Sequence, residues 1–244
     1  MNSNGKSRIN NCHFDLRDMR SILILMAILL AGCSGVPVRE IEPALIAKAE
    51  QGDVKTQVAV ALRYDSAGRG AEDYAQAASW YQRAADAGDA VAQNNLGSLY
   101  QNGLGVPKDL ERARALYAKS AAQGFPMAEN SLGYMFDLGL GGLVQDRAIA
   151  DRWYLKAAEQ GLPEAMLSLG INYHNGYGVP VDLVQSYMWL DLARFFTQFS
   201  KDMPVKWRCR GALDALSKEM DPGSIREGQR LSHDWYEAYR TRKS

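Results

Sequence analysis

The 244-residue sequence predicts an all-α protein, a right-handed α/α solenoid of about four helix-turn-helix repeats with capping helices at both ends. Two observations lead to this fold class. Glycines recur at a nearly constant period, and large apolar residues recur in register with them at helical spacing. A single helix pair of this length cannot bury its apolar face alone, so neighbouring pairs must stack.

The spacing of glycines sets the period of the repeat. Gly52, Gly88 and Gly124 lie 36 residues apart, and Gly161 follows Gly124 by 37 residues. The extra residue of the third unit falls in the glycine-rich loop 139–143, where an insertion costs little. The predicted units are 53–88, 89–124, 125–161 and 162–194.

Each unit is predicted to contain two amphipathic helices. Small residues beside the apolar stripe allow two helices to approach closely, and glycines at the unit ends stop a helix in a left-handed conformation. Pro126 and Pro163 suit the first turn of the next helix. The sets in register include Val60, Leu96, Leu132 and Leu169; Ala61, Gly97, Gly133 and Gly170; Tyr64, Tyr100, Phe136 and Tyr173; Trp80, Leu116, Trp153 and Trp189.

The pattern A-x-x-x-L-G-x-x-Y-x-x-G-x-G-V, followed by D-x-x-x-A-x-x-W-Y-x-x-A-A-x-x-G, resembles the Sel1-like repeat family, a branch of the tetratricopeptide-repeat superfamily. The resemblance covers residues 53–194, although the loop 66–70 of the first unit departs from it. It implies a helical-repeat scaffold that binds another protein. The residues of the second unit that match are Ala92, Leu96, Gly97, Tyr100, Gly103, Gly105, Val106, Asp109, Ala113 and Tyr117.

Residues 1–32 are predicted to be a targeting segment outside the fold. The apolar run 21–31 has 11 residues, fewer than the roughly 20 that span a bilayer. The sequence that follows, Leu30-Ala31-Gly32-Cys33, resembles the bacterial lipobox, which implies cleavage before Cys33 and a lipid on its thiol. The alternative is an ordinary cleaved signal with an incidental cysteine. Either Met1 or Met19 is a plausible start.

Residues 33–42 are predicted to be the lipidated cysteine and a short tether, and 43–52 an N-terminal capping helix. Ser34 resembles the residue of outer-membrane-directed lipoproteins, which implies an outer-membrane protein that faces the periplasm. Residues 195–244 are predicted to be C-terminal capping helices. The first extends from Met203 to about Met220, and the second begins at Asp221-Pro222, a typical N-cap and first turn.

The charge balance argues against several function classes. The chain has 28 basic and 28 acidic residues, which is too balanced for binding nucleic acid or for electrostatic adhesion to a membrane. His174 and His233 lie far apart in sequence and neither has ligand spacing to a partner, so no metal and no cofactor are expected. Cys209 is predicted to be a buried or partly buried helix residue.

The first helices are expected to line the concave side of the stack. The positions predicted to face the groove are Asn94, Ser98 and Gln101, then Asn130, Tyr134 and Asp137, then Leu167, Ile171 and His174. Amide groups at such positions can hydrogen-bond an extended peptide backbone. Leu167 and Ile171 either seat an apolar anchor of the partner or pack under the C-terminal helices.

We therefore expect a lipid-anchored envelope scaffold that binds another envelope protein or a peptide, is monomeric outside a complex, and is not an enzyme. Some outer-membrane lipoproteins of the family assist exopolysaccharide secretion or envelope assembly, so the resemblance implies such a complex. The alternative is an enzyme or enzyme inhibitor that acts on cell-wall peptides or glycans, for which Asp137 with His174 is the one acid–base pair available. A third hypothesis, homo-oligomerisation through an uncapped end, conflicts with the two predicted caps.

Overall fold

The computed structural model describes residues 41–67, 70–198 and 203–243, so the predicted signal segment and Cys33 lie outside the described part of the chain. Within these ranges the regular secondary structure is entirely α-helical, which confirms the predicted fold class. The helices are α1 (Pro43–Glu50), α2 (Val54–Ala67), α3 (Ala71–Asp86), α4 (Ala90–Asn102), α5 (Leu110–Ala121), α6 (Pro126–Leu138), α7 (Arg147–Glu159), α8 (Pro163–Asn175), α9 (Leu183–Thr197), α10 (Met203–Leu216) and α11 (Pro222–Lys243).

Helices α2 to α9 form four consecutive pairs, and each pair packs on the next. The first helix of a pair contacts its own second helix, and the second helix contacts the first helix of the following pair. Contacts between sequence neighbours build the core, which is the defining property of a solenoid; its buried apolar residues form two clusters, one from Ala49 to Met135 and one from Ala150 to Leu216. At the ends, α1 packs on α2, while α10 and α11 both pack on α9.

The turn between units is built on a glycine. Gly124 has a φ of 78°, and Gly88 and Gly161 both have 93°, conformations that a side chain would strain. The backbone N–H of Phe125 donates to the carbonyl of Ser120, which closes the end of α5. Pro126 then occupies the first turn of α6, and Pro163 does the same for α8, so the third and fourth units start at fixed points.

The turn within a unit is fixed by an aspartate. The side chains of Asp109, Asp146 and Asp182 accept hydrogen bonds from backbone N–H groups three residues later, each at 2.9 Å. The backbone N–H groups of the same three residues donate to carbonyls of the preceding helix. Each aspartate therefore caps the second helix and joins it to the first.

The small residues of the first helices allow close packing within a pair. A Cβ atom added to Gly97 would lie 2.9 Å from the ring of Tyr117, and one added to Gly133 would lie 2.7 Å from the ring of Tyr154. Such distances are shorter than real contacts, so these positions admit only glycine without a shift of the helices. The close approach predicted from the sequence is present.

Two helices, α10 and α11, cover the C-terminal end of the stack. On α11, Gly228 lies against Tyr187, and the hydroxyl of Tyr239 donates to the carbonyl of Gln160 at 3.2 Å. Aromatic rings of α9 and α11 pack edge-to-face, with Trp189 and Trp235 centroids 5.8 Å apart. The helix α10 ends at Leu216 rather than near Met220, because tight three-residue turns follow it before Asp221 caps α11.

Candidate functional site

A polar cavity lies across the first helices of the second, third and fourth units. Its volume is about 410 Å³, within the range of about 300–1,000 Å³ that is common for binding clefts. Side chains from six helices line this cavity, and their polar groups include amides, hydroxyls, a carboxylate and a guanidinium. We call this cavity the groove; its lining residues are Asn94, Ser98, Gln101, Tyr117, Met127, Asn130, Ser131, Tyr134, Tyr154, Glu164, Ser168 and Arg208.

Five of the nine positions that the sequence predicts to face the groove lie together in it. Asn94, Ser98 and Gln101 come from α4, where their spacing places them on one helical face. Asn130 and Tyr134 come from the matching face of α6, one unit later. The structure thus brings these side chains to one cavity, and their binding of a partner stays a prediction.

Two tyrosines from second helices, Tyr117 of α5 and Tyr154 of α7, also line the groove. Tyr117 and Tyr154 are buried, and the hydroxyl of Tyr117 donates to Oε1 of Gln101 at 3.0 Å. Burial raises the pKa of Tyr117 to about 12. Burial, and then the negative charge of Asp137, raises the pKa of Tyr154 well above its usual range. Both phenols therefore remain neutral in the cell and serve as hydrogen-bonding groups.

Three side-chain oxygens of the groove are buried without a hydrogen-bond partner anywhere in the described ranges. They are Oδ1 of Asn94, Oδ1 of Asn130 and Oε2 of Glu164. Asn94 is only 5 % exposed, and its Nδ2 donates to Asn95 at 3.0 Å, which fixes the direction of its free oxygen. Because buried polar atoms are normally paired, these three unpaired acceptors mark the groove as a candidate binding site.

The sequence did not predict the other lining residues. Ser131 and Ser168 share one register position, so the repeat period could have found them. Met127 and Glu164 share another, one turn before the predicted positions. Arg208 comes from α10, and no period connects that helix to the repeats. Its place in the groove follows from the packing of α10 against α8 and α9, which the sequence pattern does not encode.

Asp137 lies beside the groove rather than among its lining residues. Its Oδ1 accepts a hydrogen bond from Nε of Arg147 at 3.2 Å, and its backbone carbonyl accepts one from Gln145 at 2.6 Å. The guanidinium of Arg147 lies over the ring of Tyr177, 4.2 Å from the centroid. The predicted groove position is thus engaged with the start of α7.

His174 also has another partner. Its Nε2 lies 3.0 Å from Oε2 of Glu219, which follows α10. Within the described part of the chain there is no hydrogen bond between Asp137 and His174. The one acid–base pair that the sequence offered for an enzyme is therefore not assembled.

Leu167 and Ile171 pack under the C-terminal helices instead of lining the groove. Leu167 is 2 % exposed and belongs to the same apolar cluster as Val205 and Leu213 of α10, and Ile171 packs against that cluster. Of the two alternatives for these residues, the packing role is the one in the structure. The end of the groove is instead formed by Glu164, which lies on the turn before Leu167.

Other kinds of site find little support among the described residues. No group of three or more histidine, cysteine or carboxylate side chains there is arranged to hold a metal ion. In the same part of the chain, no helix combines the length and apolar character needed to cross a bilayer. Cys209 is fully buried, and burial raises its pKa to about 11, so its thiol is unreactive.

Stacked helix pairs with a groove along the first helices define an α/α-solenoid repeat protein, a fold that acts as a scaffold for protein interactions. The chain belongs to the Sel1 repeat family. The sequence profile of the Sel1 repeat matches four consecutive segments, which together cover more than half of the chain: 56–89, 90–125, 126–162 and 163–194.

Solved structures with the same fold include a protective antigen present in uropathogenic Escherichia coli strains, described as displaying an SLR fold. The two chains are 33 % identical with a TM-score of 0.69; the match covers 88 % of this chain and 45 % of the antigen, so this chain spans less than half of that protein. No curated protein sequence matches the chain significantly.

Two more distant structures share the fold alone. A Sel1 repeat protein from Oxalobacter formigenes is 24 % identical, with a TM-score of 0.56 over 78 % of this chain and 89 % of the other. A Sel1 repeat protein from Klebsiella pneumoniae is also 24 % identical, with a TM-score of 0.53 over 81 % of this chain and all of the other.

Proposed function

We propose that this protein is a lipid-anchored scaffold of the bacterial envelope that binds an extended segment of another envelope protein in the groove. The observation that carries the proposal is the set of buried, unpaired acceptor oxygens in that cavity. Sel1 repeat solenoids are typically non-catalytic interaction scaffolds, which agrees with a binding role.

The chemistry of the groove suits an extended peptide. Backbone N–H groups of a bound segment would pair with the amide oxygens of Asn94 and Asn130, which lie one repeat apart. Each hydrogen bond to a buried acceptor contributes about 0.5–1.5 kcal/mol. Met127 and Tyr134, which are 50 % and 42 % exposed, offer apolar contact to the side chains of the segment.

In-cell photocrosslinking tests the groove. A photoreactive residue at Ser98 or Ser131, both of which line the groove, should capture one dominant envelope protein. The control position is Ala118, an exposed residue of α5 outside the groove, which should capture nothing specific. Equal capture from all three positions, or none from the groove, would contradict the proposal.

The lipid anchor is the second part of the proposal. It rests on Leu30-Ala31-Gly32-Cys33 after an apolar run of signal-peptide length. The similar Escherichia coli chain is a protective antigen, which is in keeping with an envelope address. We extend the proposal to an outer-membrane position facing the periplasm, within a secretion or envelope-assembly complex, as Ser34 and the family resemblance imply.

Fractionation with metabolic fatty-acid labelling tests the anchor. Cys33→Ser should abolish labelling and either block processing or release the protein from membranes. Cys209→Ala is the matched control, because its thiol is buried and should not be acylated. Labelling that survives Cys33→Ser would refute lipid attachment at this residue.

A further inference from the structure

The geometry points to a more specific ligand: we infer that the bound segment carries a lysine or arginine side chain that pairs with Glu164. This inference deepens the proposed function and depends on it. The feature that carries it is the carboxylate of Glu164, which enters the end of the groove and has a buried, unpaired oxygen.

The position of Glu164 is fixed by its helix. It follows Pro163 in the first turn of α8, and its backbone carbonyl accepts a hydrogen bond from Ser168 at 3.1 Å. No described residue donates to its Oε2. An ionised carboxylate can only accept hydrogen bonds, so its natural complement is a cationic donor.

The neighbouring groups of the groove strengthen this assignment. Oδ1 of Asn94 and Oδ1 of Asn130 are unpaired acceptors in the same cavity, and Asn94 is 95 % buried. A lysine ammonium has three donors and an arginine guanidinium has five. A basic side chain on a segment whose backbone N–H groups meet the two asparagines would therefore complement all three oxygens.

Arg208 is the positive charge that lines the groove, and it does not neutralise Glu164. Among the described residues there is no ion pair between them within 4.0 Å, and the side chain of Arg208 is exposed to solvent. An anionic ligand would have to approach the buried carboxylate, and like charges at close range disfavour that arrangement.

The acidic residue is peculiar to the fourth unit. The equivalent positions of the second and third units hold Val91 and Met127, both apolar. The groove therefore changes along its length from apolar and amide groups to a carboxylate at the end that α10 closes. Such a difference can give a bound segment a fixed direction, with its basic residue next to α8.

Peptide selection tests the inference with the full-length protein purified in detergent. Phage-displayed random decapeptides would be selected on the wild type, and the bound peptides measured by fluorescence anisotropy. We expect lysine or arginine at one enriched position. Glu164→Gln should weaken binding of these peptides by about tenfold or more, the usual scale of a charge-assisted hydrogen bond. Glu159→Gln, an exposed acid outside the groove, should leave it unchanged.

The charge-reversed variant provides the sharpest result. Selection on Glu164→Lys should enrich aspartate or glutamate at the position where the wild type enriches a basic residue. Circular dichroism of each variant would show that the fold is kept.

Three results would overturn the inference. Peptides without a basic preference, whose binding is nonetheless lost in Ser98→Tyr, would refute it and leave the proposed function standing. Binding lost in Arg208→Gln but kept in Glu164→Gln would show that the groove recognises a carboxylate. The absence of any peptide that depends on the groove would count against both the inference and the proposed function.

Discussion

The middle of the stack and its C-terminal end use the same repeat positions in opposite ways. Asn94 and Asn130 line the groove, whereas Leu167, at the equivalent position of the fourth unit, is 2 % exposed under α10. Ser98 and Ile171 are also equivalent positions, and Ser98 lines the groove whereas Ile171 packs against the C-terminal apolar cluster. A position on a first helix thus lines the groove where no further helix covers it, and packs in the core where one does.

The largest expected effect comes from exchanging residues between the two regions. Leu167→Asn should lower the free energy of unfolding by about 3 kcal/mol or more, because it removes buried apolar volume and places an amide among the apolar side chains of α8 and α10. Chemical denaturation would measure the loss.

The reciprocal variant, Asn130→Leu, is the matched control. Asn130 is only partly buried and its Oδ1 has no partner in the described chain, so the change should alter stability by less than about 0.5 kcal/mol. It should instead weaken partner binding. Equal destabilisation by both variants would break the comparison, since both positions would then be structural.

Close helix contacts in the middle provide the next largest effect. Gly97→Val should destabilise the stack by about 1–3 kcal/mol, because the new side chain would meet the ring of Tyr117 and the carbonyl of Ala113. Gly211→Ala on α10 is the control, since a Cβ there meets nothing within 4 Å. It should raise stability by up to about 1 kcal/mol. An unchanged melting temperature for Gly97→Val would contradict the packing.

The smallest expected effect is on the pH dependence of stability, and it arises where α7 meets α8, between the two regions. Asp151 is buried, and its Oδ1 accepts a hydrogen bond from Asn172 at 2.6 Å. Burial raises the pKa of Asp151 in the folded protein. Between the ordinary carboxyl pKa and this raised value, the folded state holds more protons than the unfolded state, so stability falls as pH rises.

Denaturation between pH 4 and 7 would test this slope. Asp151→Asn should reduce the loss of stability toward neutral pH, because it removes the group that must release its proton in the folded state. Below the ordinary pKa both states are protonated and the two proteins should differ little in slope. Asp86→Asn, an exposed acid of α3, should leave the slope unchanged. If stability depended on pH in the same way in the wild type and in Asp151→Asn, Asp151 would not be the cause of the slope.

The periodic part of the molecule was predictable from the sequence, and the aperiodic part was not. Gly88, Gly124 and Gly161 gave the number and phase of the units, because only glycine suits those turns. The helical faces of Asn94 and Asn130 followed from the same period. By contrast, the placement of Arg208 and the pairing of His174 with Glu219 depend on how α10 folds back. Such long-range packing has no periodic signal.

The two ends of the helical stack are covered to different extents, so they should differ in how easily they unfold. In the part of the chain that the structure describes, α1 covers the first unit with eight residues, whereas two longer helices and a cluster of aromatic rings pack against α9. In a protein held together by nearest-neighbour contacts, opening begins where the terminal interface is weakest. Amide hydrogen exchange should therefore be fastest in α1 and α2. A force applied from the N-terminal side would unfold the first unit before it reaches the groove.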